Sequence, residues 1–265
     1  MLSLFREPGI RGKNNKQQNM QTRLVTIMLA VAVTLSGWVA SSQEPEGPPR
    51  RRGGPPGGRG PGGGPGDRSG MFSSSLLPKS DREKSVLAVL EDMNRTQRRG
   101  SMSVPMDDGR ILRVLTEATG ARNVVEIGTS VGYSAIWFCL ALETTGGKLT
   151  TFEIDEGRAA QARENFKRAG VEKFVTLVQG DAHAEVKQLK EPIDILFLDA
   201  DKEGYLDYLN KLLPLVKPGG LIIAHNMNTG QADPSYVKAI TSKPELETLF
   251  LNLERSGIGV TMKKR

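Results

Sequence analysis

From about residue 80 onward, short apolar runs alternate with stretches whose apolar residues recur at helical spacing. Ser80-Asp81 followed by Val86, Leu87, Val89, Leu90 and Met93 predicts a capped amphipathic helix, and Ile111, Leu112, Val114 and Leu115 predict a second. Strands are predicted at Asn123–Ile127, Lys148–Ile154, Phe174–Gln179, Ile193–Leu198 and Leu221–Ala224, with two more at Glu247–Leu253 and Gly257–Met262. Apolar strands separated by helices imply an α/β fold: a doubly wound, mostly parallel sheet covered on both faces. Ligands in such sheets bind at the carboxyl ends of the strands, where strand order reverses.

The chain before residue 80 has another character. Residues 24–40, LVTIMLAVAVTLSGWVA, follow Arg23 and end in small residues, the outline of a secretory leader or a short membrane anchor. Residues 44–70 hold 11 Gly and 7 Pro, a composition that cannot bury enough apolar surface to offset chain entropy. The expected organisation is a leader or anchor over 1–42, a disordered Gly/Pro/Arg-rich linker over 43–78 and one folded domain over 79–265. The domain is expected to be exported or tethered to a membrane through 24–40, and cytoplasmic if that run is not a leader.

Charge sharpens this division. The net charge of +6 lies wholly in residues 1–70, which carry 10 Lys/Arg against 4 Asp/Glu, so the folded part is neutral and no nucleic-acid partner is expected. The sole cysteine, Cys139, sits in an apolar helical run and excludes an internal disulfide framework.

Candidate chemistry gathers at the predicted strand ends. Val-Val-Glu-Ile-Gly at 124–128 runs through Thr-Ser-Val to Gly132-Tyr-Ser, from strand through a Gly-rich loop into a helix whose free N–H groups suit an anion. Glu153, ending the second strand, can accept both hydroxyls of a ribose. The loop is GxxxG and not GxGxxG, which disfavours a nicotinamide oxidoreductase. Gly128-Thr-Ser130-Val-Gly132 also matches the nucleophile elbow of serine hydrolases, with Asp199 and His225 following in that order. Only one predicted sheet strand precedes this elbow, against several in a hydrolase. Asp199, His225 and Asn226 end neighbouring strands, and such a set can hold a divalent cation. Lys202 follows Asp199 by one turn and could accept a phenolic proton as a neutral amine.

Together these residues resemble the cation-dependent O-methyltransferases related to the catechol and caffeoyl-coenzyme A enzymes. The resemblance covers roughly residues 80–265 and rests on Val-Val-Glu-Ile-Gly and Gly-Tyr-Ser, Thr-Phe-Glu-Ile-Asp at 151–155, Leu-Asp-Ala-Asp-Lys at 198–202, and Gly-Gly to His-Asn at 219–226. Upstream, Met102-Ser103-Val104 with Asp108-Gly109-Arg110 resembles the segment that closes over the methyl donor. The resemblance implies a Rossmann-like seven-stranded sheet with the last strand antiparallel. It implies S-adenosylmethionine as cofactor, a small hydroxylated (catechol-like) acceptor, and help from a divalent cation, Mg²⁺ or Mn²⁺. Val104, Glu126, Gly128, Ser134 and Glu153 would hold the methyl donor, with Asp181, Ala182 and His183 against its adenine. Asp199 and Asn226 would be metal ligands joined by His225, and Lys202 the general base, working beside Asp199. The family usually has Asp where this chain has His225, and a neutral ligand there leaves a cation less compensated. A non-catalytic ligand-binding module of the same fold is the other reading of that substitution. A homodimer is the expected assembly, two-fold dimers being the commonest.

Overall fold

The computed structural model describes residues 74–97, 100, 102–252 and 256–265. The leader expected over 1–42 and most of the linker fall outside the described residues. Among the described residues no helix is long and apolar enough to cross a membrane.

Seven strands form one sheet in the order β3-β2-β1-β4-β5-β7-β6. They are β1 (Asn123–Ile127), β2 (Lys148–Glu153), β3 (Val175–Gln179), β4 (Ile193–Leu198), β5 (Val216–His225), β6 (Leu246–Leu251) and β7 (Ile258–Lys263). The first five run parallel, and β7 lies antiparallel between β5 and β6. The sheet is therefore the one expected, with the last strand reversed.

Successive side chains along a strand point to opposite faces, and here both faces are buried. Val124, Ile195, Phe197 and Ile223 join one core, whereas Val125, Ile127, Leu196, Leu198 and Ile222 join the other. This is why the strands read as continuous apolar runs and not as alternation. The first core is covered by α1 (Asp81–Thr96), α2 (Met106–Thr119), α3 (Tyr133–Thr145) and α4 (Glu156–Ala169). The second is covered by α5 (Ala182–Glu185), α6 (Tyr205–Leu212) and α7 (Pro234–Thr241). Ser80 caps α1, accepting from the Glu83 N–H at 3.1 Å. Helix α3 is buried from Tyr133 through Leu142, on every side, because it lies between α2 and the sheet. Cys139 is fully buried within it, as an apolar residue would be.

Two elements differ from expectation. Strand β5 begins at Val216, five residues before the predicted start, because the edge-like Lys217-Pro218-Gly219-Gly220 is taken into the strand through a register shift against β4. In α2, Val114 is 60% exposed although it falls in the predicted apolar stripe.

Strands β1 and β4 are neighbours, paired from Val124–Ile195 to Ile127–Leu198, yet the chain leaves them for opposite faces of the sheet. The parting is tight. A Cβ on Gly128, whose φ is +99°, would stand 2.5 Å from the Asp199 carbonyl oxygen. The oxygen belongs to the backbone and a Cβ is fixed to its Cα, so neither can rotate away. Gly128→Ala is expected to lose more than about 2 kcal/mol of stability. Gly120→Ala, at φ +64° with nothing within 4 Å, should lose only about 1 kcal/mol. Urea unfolding of the two variants checks the difference.

Candidate active site

The loop after β1 is built around its neighbour β2. The Phe152 carbonyl accepts the N–H groups of Gly128 (3.1 Å) and Thr129 (3.0 Å). Ser130 adopts a left-handed φ of 49°, which turns its N–H onto Glu153 Oε2 at 2.7 Å. The other Glu153 oxygen accepts the Asp155 N–H at 2.9 Å. Two backbone donors thus fix this carboxylate at the end of β2, each oxygen keeping a lone pair for a ligand hydroxyl. Gly132, at φ +87°, opens α3 without a side-chain cap.

Below this loop, Glu126 is fully buried, and its two oxygens accept the Ser134 hydroxyl (2.5 Å) and the Thr151 hydroxyl (2.6 Å). Burial pushes its pKa up to about 8 against those two hydrogen bonds.

The ends of β4 and β5 carry the charged groups. Their last paired residues are Leu198 and Ala224, so Asp199 and His225 leave the sheet side by side. Lys202 Nζ donates to Asp199 Oδ1 (3.2 Å), the Ala200 carbonyl (3.0 Å) and the Tyr205 hydroxyl (2.8 Å). The Tyr205 hydroxyl donates in turn to the Leu198 carbonyl at 2.9 Å. His225, 5% exposed, has Nδ1 3.1 Å from Asp199 Oδ1 and Nε2 3.0 Å from Asp108 Oδ2, with the Ser256 hydroxyl 3.1 Å from Nε2. Burial alone would lower its pKa, but the hydrogen bonds to Asp108 and Asp199 outweigh burial and raise it to about 9.

These ends frame a cleft of about 820 Å³, within the range of small-molecule sites. Of the residues singled out in the sequence, Gly128, Glu153, Asp181, Ala182, His183, Asp199, Lys202, His225 and Asn226 line it together. Val104, Glu126 and Ser134 do not; they stand behind its surface, 2%, 0% and 6% exposed. Met102, from the upstream segment expected to close over the methyl donor, and Ile154, to which the sequence assigned no role, are each 70% exposed in the cleft although large and apolar. His183 stacks on Tyr208 with ring centroids 4.3 Å apart, and its Nδ1 donates to Asp207 Oδ2, 2.5 Å away. No sequence motif pointed to Tyr208. Asp108, 117 positions from its partner His225, gave no signal as a charge partner.

A divalent cation needs ligand lone pairs that converge on one point. Asp199, His225 and Asn226 do come together, but not in that way. Carboxylates only accept, so with Asp199 and Asp108 on its two nitrogens the imidazole donates at both and offers no lone pair. Among the described residues no cluster of three or more His, Cys, Asp and Glu is placed to hold a metal ion. The donor set as folded does not fit the cation.

The serine-elbow arrangement is not assembled either. The Ser130 hydroxyl is buried without a hydrogen-bond partner, and His225 faces Asp108 and Ser256 instead.

The two shifted groups set a pH dependence. Glu126, ordinarily near 4.5, keeps its proton to about 8 in the folded chain, so stability falls as pH rises between those values. His225, ordinarily near 6.5, is held protonated to about 9. Its contribution is complete below 6.5 and lost as pH rises toward 9. The melting temperature should therefore fall steadily from pH 5 to 9. In Glu126→Gln the fall should begin only above about pH 6.5, which melts at a series of pH values will show.

Comparison with known proteins agrees with this architecture. A family model described as O-methyltransferase matches residues 78–233. A catechol O-methyltransferase of Niastella koreensis is 40% identical over 131 residues, 48% of this chain and 59% of that protein. A catechol O-methyltransferase of Mycobacterium tuberculosis is 35% identical over 160 residues, 60% of this chain and 71% of that protein. The chain thus spans about 60% of the first of these curated relatives. Among solved structures, the O-methyltransferase from Bacillus cereus in complex with SAH is 30% identical with a TM-score of 0.59, covering 71% of this chain and 93% of that one. A methyltransferase from Geobacter sulfurreducens has the same fold, with a TM-score of 0.59 at 24% identity, covering 72% of this chain and 92% of that one. With the matched region running from the start of the described domain past Asp199, Lys202 and His225, the chain belongs to the O-methyltransferase family.

Proposed function

We propose that the chain is an S-adenosylmethionine-dependent O-methyltransferase acting on a small hydroxylated, catechol-like acceptor. The observation that carries this reading is Glu153, held by two backbone N–H groups at the end of β2 with free lone pairs facing the cleft. That arrangement suits the two ribose hydroxyls of an adenosine. The apolar side chains of Met102, Phe152 and Ile154 and the His183–Tyr208 stack offer surfaces for a flat purine.

S-adenosylmethionine supplies a sulfonium methyl that an oxygen nucleophile takes in line, leaving a neutral thioether. The protein's part is to align the two and to remove a proton. Lys202 is the one amine among the residues lining the cleft, and we assign it, once its ammonium has shed a proton to solvent, the acceptor's hydroxyl proton. Tyr205 and the Ala200 carbonyl hold its Nζ in place. Exclusion of water and positioning supply the rest of the acceleration.

The apolar run at 24–40, which lies outside the described residues, supports export or a membrane tether as the setting. Exposed Leu77 and Val114, 86% and 60% accessible, support a homodimer as the assembly. Catechol incubated with the full chain and the methyl donor should gain one methyl group, read by mass spectrometry. Lys202→Met should cut kcat by roughly 10²- to 10⁴-fold, the usual worth of a positioned base, while the Kd for S-adenosylhomocysteine stays unchanged. Unchanged turnover in that variant would remove Lys202 from the mechanism.

A further inference from the structure

We infer that His225, clamped between Asp108 and Asp199, is a built-in cation that takes the place of a divalent metal, so that methyl transfer in this cleft needs no metal ion. The inference rests on the methyltransferase reading for its chemistry, but not for its geometry. Two carboxylates, Asp108 at 1% exposure and Asp199 with a 9% exposed side chain, converge from helix α2 and strand β4 on one imidazole. Two buried negative charges with no counterion would be strongly unfavourable. His225 and Lys202 supply two positive charges within 3.2 Å of them, and the group of four is neutral as it stands.

An ion entering here would meet a histidine with no free nitrogen and an Asp199 Oδ1 already shared by His225 and Lys202. To gain His225 as a ligand it would have to expel a proton from the ring and break the contact with Asp199 or with Asp108. The position of the ring also explains its shifted protonation, but the exclusion of metal follows from the hydrogen bonds alone. The cluster ties together four parts of the fold: α2 through Asp108, β4 through Asp199, β5 through His225 itself, and the turn before β7 through Ser256.

A consequence for the acceptor follows. A bound divalent ion chelates two adjacent oxygens and acidifies one of them. An imidazolium whose two N–H groups are both spent on carboxylates can chelate nothing. The cleft therefore has no reason to demand a vicinal diol, and a phenol with one acidic hydroxyl should be methylated about as well as a catechol.

The decisive probe is Mn²⁺ alone, followed by electron paramagnetic resonance with the full chain. Wild-type protein should leave the free Mn²⁺ signal unchanged, and its turnover should be unaffected by a chelator. His225→Asp, which places a third carboxylate where the cation was, should take up one Mn²⁺ per chain and be stabilised by it in thermal melts. Wild-type protein that binds one Mn²⁺, with binding lost in Asp199→Asn, overturns the inference. So does turnover abolished by chelation and restored by Mn²⁺. Should His225→Asp fail to fold, the wild-type titration still decides. These binding measurements hold even if no acceptor is methylated, so failure of the functional reading is told apart from failure of this one.

Discussion

The parting of β1 and β4 is the constraint on which the rest of the cleft depends. Two parallel strands joined side by side send their chains to opposite faces of the sheet, and the gap between the departing loops cannot be closed by either. Gly128 allows the parting to happen without steric conflict, with the Asp199 carbonyl where a side chain would otherwise stand. Everything chemical sits on the rim of this gap. Glu153 reaches it from β2 on one side, and Asp199, Lys202, His225 and Asn226 reach it from β4 and β5 on the other. The fold thus separates the Glu153 side of the cleft from a side dense in charge, with open space between them.

The charged side solves an electrostatic problem within the chain. Asp108 is out of water and Asp199 is only slightly exposed, and a buried carboxylate without a partner is far costlier than a hydrogen-bonded one. His225 answers both at once, being planar with donors on opposite edges. Because those donors are consumed, the ring contributes charge and rigidity but no ligation. Lys202 is held by Asp199 and Tyr205 at the same rim, and the proposed proton transfer falls to it.

Much of this was legible in the sequence, for reasons that can be named. Strands β1 and β4 read clearly because burial on both faces demands unbroken apolar runs, and their ends read clearly because polar residues follow abruptly at Gly128 and Asp199. Strand β5 was read too short because Pro218 and the glycines beside it look like a turn, and only the pairing of Val216 and Leu221 with β4 on either side carries them into the strand. Placement at the cleft surface was harder. Val104, Glu126 and Ser134 belong to the motifs but stand behind the wall, since period and spacing say which face a residue takes and not how deep a loop will bury it. The pairing of Asp108 with His225 was invisible, because residues 117 positions apart meet only when α2 folds over the sheet. That contact changes a candidate metal ligand into a cation.

The central claim is that the switch-point cleft holds a methyl donor by this chain's own residues. Calorimetric titration of the full chain with S-adenosylhomocysteine, in the presence of EDTA, tests it most directly. One molecule should bind per chain, with an affinity that does not change when Mn²⁺ replaces the chelator. Absence of binding under both conditions would contradict it.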